Sequence, residues 1–164
     1  MAIDRTHLLA ETITGTQIKD GSVKYTDLET NTIQIEVPIS FFEGKVSIAI
    51  DSTGVKHETG NYLISSELVK HLKSAYLETA MINFGATDAT VAVELYNVTD
   101  ASVVTSISLS SDSYRTRSGD MGSTIKGLAG KEVRVRVNVT TASATAGATA
   151  DFISAKLILV LGIS

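Results

Sequence analysis

The adjacent pair His57-Glu58, with Asp51 a short way upstream, is the nearest approach in this sequence to a metal-ligand spacing. Neighbouring residues of an extended chain point to opposite faces, so the pair would meet one ion only across a bulge, and an exposed loop is the simpler reading. His71 reads as a surface residue, and His7 lies near the start of the chain. Serines are plentiful, but no G-x-S-x-G occurs, and no serine has a histidine and an acid in a context suggesting a triad. The segment "GLAGK" (Gly127 to Lys131) lacks the spacing of a phosphate loop and is followed by a strand pattern, so it reads as a turn. There is no cysteine for a thiolate nucleophile, thiolate metal site or disulfide framework. Asp112 and Asp120 sit in "SSDSYRTRSGDMGS" beside Tyr114, Arg115 and Arg117. Paired carboxylates do glycosidic chemistry only when they flank a cleft. The same segment can instead be a ligand loop, with Tyr114 stacking on a sugar and Arg115 and Arg117 supplying hydrogen bonds. A solvated hairpin is the plainer account, because aromatics are 5% of the residues and tryptophan is absent. Two N-x-T sequons, at Asn97 and Asn138, are what a Ser- and Thr-rich chain produces by chance. The expectation is a protein without catalytic residues, cofactor or metal, and not an enzyme.

These side chains need a scaffold, and 164 residues allow one domain with a sizeable core. The net charge of −4, with basic residues gathered only in the short pairs Arg115/Arg117 and Arg134/Arg136, argues against nucleic acid as partner. No membrane association is expected either. The longest apolar run, "LILVLGI" from Leu157, is too short for a helical span, and "MAIDRTHLLAET" has no apolar stretch of secretory length.

Alternation is the dominant pattern. "TIQIEV" sets Ile33, Ile35 and Val37 on one side, "KVSIAID" Val46, Ile48 and Ile50, and "TVAVELY" Val91, Val93 and Leu95. "VVTSISL" does the same with Val103, Ile107 and Leu109, and "EVRVRVNVT" with Val133, Val135, Val137 and Val139. A period of two in β-branched residues means half-buried strands. Turn signals at Asp51, Gly85, Asn97, Ser110 and Gly127 separate them, which predicts an antiparallel sandwich or barrel. Pro38 ends the first strand or lies at a sheet edge. "SSELVKHLKSAY" predicts one short helix, capped by Ser65 or Ser66, with Leu68, Val69 and Leu72 as its apolar stripe. "YLETAMINFG" then returns to strand character, with Tyr76, Ala80, Ile82 and Phe84 together. "TTASATAGATAD" suits a long exposed loop or strand extensions. The last strand is apolar on both faces, Ile153, Leu157, Leu159 and Leu161 on one, Phe152, Ile158 and Val160 on the other. It therefore needs two covers, and the second is the helix near Leu68 or, as favoured here, another subunit.

"ETITGTQIKDGSVKYTDLET" (Glu11 to Thr30) is too poor in large apolar side chains to build a core. Ordering it costs about 1–2 kcal/mol of backbone entropy per residue, so it needs a surface to lie on. Ile18 and Val23 flank the turn pair Asp20-Gly21, as in an arm laid across a partner. An edge strand folded back on its own sandwich is the alternative.

"ITGTQIKDGSVKYTDLE" resembles the short N-terminal element of phage and virus structural proteins, of the form I-x-G-x-Q-I-x-D-G-[ST]-[IV]-x-x-x-D-L. The matching residues are Ile13, Gly15, Gln17, Ile18, Asp20, Gly21, Ser22, Val23, Asp27 and Leu28. The stretch from Val91 to Val137 is similar to jelly-roll modules of virion and surface proteins, where a strand ending L-x-N-x-T leads through a hairpin to G-K-x-V-x-V-x-V. The resemblance implies an all-β, antiparallel sandwich of jelly-roll type with an extended N-terminal arm and at most one short helix. Residues 1–31 would be the attachment arm, acting through Ile13, Gln17, Ile18, Asp20, Gly21, Val23 and Leu28, and 32–164 the sandwich. The expected role is a virion component of capsid-decoration, head-fibre or tail-associated type, made in the host cytoplasm. Its partners would be copies of itself, a trimer as first guess, and capsid or tail proteins. A glycan- or receptor-binding module using Tyr114, Arg115 and Arg117 is the alternative.

Overall fold

The protein's structure, a computed structural model, describes residues 34–162. The expected arm, residues 1–31 with its motif from Ile13 to Leu28, lies outside the described residues. The elements run β1 (Gln34–Ala49), β2 (Gly54–Glu58), β3 (Tyr62–Leu63), α1 (Ser66–Lys70), β4 (Leu72–Ile82), β5 (Thr90–Asn97), β6 (Ser102–Leu109), β7 (Ser113–Arg117), α2 (Gly122–Lys126), β8 (Glu132–Thr141) and β9 (Thr149–Gly162). They form two antiparallel sheets, ordered β1-β9-β4-β7 and β2-β8-β5-β6, with the two-residue β3 also pairing β8. Setting β3 aside, only the β5–β6 hairpin stays within one sheet, and every other step crosses the sandwich. That order is the double Greek key of a jelly roll.

The alternating valines do what their spacing requires. Val133, Val135, Val137 and Val139 of β8 and Val91, Val93 and Leu95 of β5 are buried between the sheets. They meet Ala75, Leu77 and Met81 of β4 and Leu157 and Leu159 of β9 in one core.

Several elements differ from the sequence reading. The part of "TIQIEV" from Gln34 on and the part of "KVSIAID" up to Ala49 belong to a single strand, β1, which runs past Pro38 and is interrupted by register breaks between Ser40 and Phe42 and between Glu43 and Val46. Its place at the edge of the sheet is what tolerates the proline. The helix near Leu68 is only five residues long. Ser65 Oγ accepts the Leu68 N–H at 3.1 Å, and His71 closes the helix. Leu72 is not on a helical stripe: it opens β4 and is 1% exposed, because the core offers it more burial than one helical turn can. On β4 the inward face is Leu77, Thr79 and Met81, not Tyr76 and Ile82, which remain partly exposed.

A second helix, α2, also stands where at most one was expected. Asp120 Oδ1 accepts the N–H groups of Ala75 (3.0 Å) and Gly122 (2.9 Å), and this pins the segment to β4 while Ile125 enters the core. Finally, Phe152 does not share a face with Ile158 and Val160. Ile153 is unpaired between Phe152 and Ser154 against both neighbouring strands, and this bulge reverses the phase of β9. Phe152 therefore joins the core at 0% exposure.

Candidate interaction surface

"SYRTR", read above as part of a loop, is strand β7 at the rim of the first sheet. Its pairing with β4 sets Arg117 against Glu78 and Thr116 against Thr79, then skips to Ser113 against Met81. The strand thus holds an extra residue at Tyr114–Arg115, and such a bulge re-aims side chains. Tyr114 is 80% exposed as a result.

The arginines are already engaged. Arg115 Nε and Arg117 Nε both donate to Glu78 Oε2, each at 2.7 Å. Arg117 reaches on to Glu36 of β1, donating from both terminal nitrogens to its two oxygens at 3.3 Å, and its guanidinium carbon lies 5.4 Å from the Tyr76 ring centre. Partial burial opposes the charge on Glu78, but the bonds from Arg117 and then Arg115 outweigh it and hold its carboxyl below the usual range. The bond to Glu78, then that to Glu36, raises Arg117 in turn.

Ile158 and Val160 lie on this same outer face, between Pro38 and Glu36 on one side and Tyr76 and Ser74 on the other. Their exposures are 4% and 8%, so within one chain little of either remains for a partner to cover. Arg117 is a clasp tying β7 to β1 across the sheet, and Tyr114 with the outer part of Arg115 is what β7 presents to solvent.

The other candidates are dispersed. His57 lies opposite Val137 and sets its ring edge-on to Phe42 at 5.6 Å, whereas Glu58 lies opposite Arg136 and accepts from Arg134 Nη1 at 2.8 Å. The pair lies on strand β2 and not in the exposed loop expected for it, and adjacent strand residues part to opposite faces, as the spacing argument holds. Asp51 is elsewhere, accepting the Gly147 N–H at 2.9 Å. Val55, Lys56, His57 and Glu58 line an open groove of about 480 Å³ along β2. Asp112 accepts the Phe84 N–H at 2.6 Å and Asp120 serves α2, so both acids brace the fold. Asn97 is 2% exposed and braces the β5–β6 turn through Asp100. Asn138 donates to Glu94 at 3.0 Å.

Two buried acids had escaped sequence reasoning. Glu94, 7% exposed on the outer face of the second sheet, accepts from Arg136 Nη2 at 2.7 Å, and Arg136 stacks 3.6 Å over the Tyr96 ring centre. Asp151, 6% exposed, accepts from Ser47, from Asn83 at 2.9 Å and from Lys45 at 2.8 Å. Lys45 foremost, then Ser47 and Asn83, lower its carboxyl to about 2. The only signal for either acid was an isolated charge among apolar residues.

Fold and surface define the class as a jelly-roll β-sandwich with tied-down charges. No family model and no curated protein matches the chain. Among solved structures it is similar to a chain from a structure of infectious bursal disease virus, Gx strain, at 11% identity and a TM-score of 0.38. That match covers 81% of this chain and 33% of the viral one, so this chain spans about a third of the length of its neighbour.

Proposed function

We propose that the protein is a non-enzymatic structural component of a virion or virus-like particle, of capsid-decoration, head-fibre or tail-associated type. The observation carrying this reading is the jelly-roll strand order with β1 at the rim. It agrees with the virion jelly-roll modules that residues 91–137 resemble. β1 begins at Gln34 on the edge of its sheet, so an arm ahead of it has an open side along which to reach a neighbouring copy. The arm residues Ile13, Gln17, Ile18, Asp20, Gly21, Val23 and Leu28 then contact other subunits or the particle. Repetition makes each weak contact effective. The body forms a closed homo-oligomer, with three copies as the first expectation.

One fold hosts many functions, so assembly itself is the test. Light scattering after size exclusion should give a multiple of the chain mass for the full chain and a smaller one for a chain beginning at Thr32. Two equal, monomeric masses would sink the proposal. A second reading, a glycan- or receptor-binding module, draws on the exposure of Tyr114. It requires glycan-array binding that Tyr114→Ala and Arg115→Ala abolish.

A further inference from the structure

A sheet edge presents unpaired N–H and C=O groups, and folded proteins guard such edges with charge, proline, bulges or brevity. Three edges here are guarded. β1 carries Glu36, Pro38, Glu43, Lys45 and two register breaks. β2 has five residues, Lys56, His57 and Glu58 among them, and a break of its own. β7 is equally short, with Arg115, Arg117 and its bulge.

β6 is different. Its sequence "SVVTSISL" spans eight residues with no charge, proline or glycine, and it ends the order β2-β8-β5-β6. Among the described residues nothing pairs with its outer side. The register against β5 breaks only between Leu95 and Tyr96, so Thr105 to Leu109 is a regular strand.

We infer that β6 is a self-pairing edge: two copies of the chain join their second sheets by antiparallel β6–β6 hydrogen bonding about a two-fold axis at Ile107. Directly opposed residues of an antiparallel pair point to the same side. Thr105, Ile107 and Leu109 face the core opposite Leu95, Val93 and Val91, and Ser106 and Ser108 face outward. With Ile107 opposite its own copy, Thr105 meets Leu109 and Ser106 meets Ser108. The core row carries Ile107 on Ile107 flanked by Thr105 on Leu109, with no charge in it, and the outer row becomes hydroxyl on hydroxyl. A one-residue slip would set serine against the core. The strand has no charge to repel itself, so a second copy fits it better than a charged segment would. A two-fold contact adds a pairing step to whatever order the arm sets, and stands whether or not the particle reading does.

The test uses the full chain. The substitutions Ser106→Lys and Ser108→Lys together place four like charges across the joint without touching the core. The assembled mass should halve, with circular dichroism and melting temperature unchanged. The chain has no cysteine, so an equimolar mixture of Ser106→Cys and Ser108→Cys proteins should give a disulfide-linked dimer on mild oxidation, and either protein alone, whose two cysteines would sit diagonally about 7–8 Å apart, should give far less. These small substitutions carry the test if the lysine variant does not fold. A monomeric parent chain, an undiminished mass in the folded lysine variant, or a dimer that the cysteine mixture does not cross-link would overturn the inference. In the last case another segment, such as the arm of a neighbouring copy, is the occupant.

Discussion

At the scale of single residues, most charges that looked available for chemistry hold the fold together. Asp151 is the clearest case, with three donors around a carboxylate at the β1–β9–β4 junction. Its folded pKa lies below its ordinary 3.8, at about 2, so the stabilisation is full above the unfolded value and is lost as pH falls toward the folded one. Denaturant melts between pH 5 and pH 2 should show stability falling over that window. Asp151→Asn should flatten the fall, though not abolish it, because Asp88, Asp120 and Glu78 are lowered as well. The clasp separates partners by burial. Arg117→Ala leaves Glu78, with a side chain 16% exposed, short of a donor and should cost about 1–2 kcal/mol. Glu36→Ala removes a carboxylate that is 57% exposed and should cost less than about 0.5 kcal/mol in the same urea melts.

At the scale of elements, strands were readable wherever β-branched residues alternated without interruption, as in β5 and β8. They were misread wherever a bulge intervened. Tyr114 and Arg115 read as loop residues because "SYRTR" is polar throughout and bulged, with no apolar alternation to mark a strand, and Phe152 was set on the wrong face because Ile153 is skipped by both neighbours. No local pattern announces a bulge, which arises from how two distant strands come into register. Helix α2 escaped for a similar reason, since it is secured by backbone N–H groups of β4 and α2 that bind Asp120. Its closeness to β4 makes a sharp prediction. A Cβ at Gly122 would lie 2.8 Å from the Lys73 carbonyl oxygen, whereas one at Gly119 would meet nothing within 4 Å. Gly122→Ala should therefore lower stability by about 1–3 kcal/mol, and Gly119→Ala should leave the melting curve nearly unchanged.

At the scale of the whole molecule, the first and last described strands lie side by side, β1 against β9, and β9 also pairs β4. Such non-local pairing must be assembled before it stabilises anything, so refolding after dilution from urea should take milliseconds to seconds. A submillisecond phase carrying the full amplitude would contradict this. The same pairing makes Leu157, 0% exposed in the middle of β9, a point where Leu157→Ala should cost about 2–5 kcal/mol. What the sequence by itself determined was the all-β class, the turns between strands, and the parting of His57 from Glu58, because a period of two is a local property of extended chain. Only the tertiary structure decided that Arg117 meets Glu36, that Asp151 is surrounded by donors, and that β6 is left at an edge. Those depend on which strands become neighbours and in what register, and that is set by the packing of the two sheets.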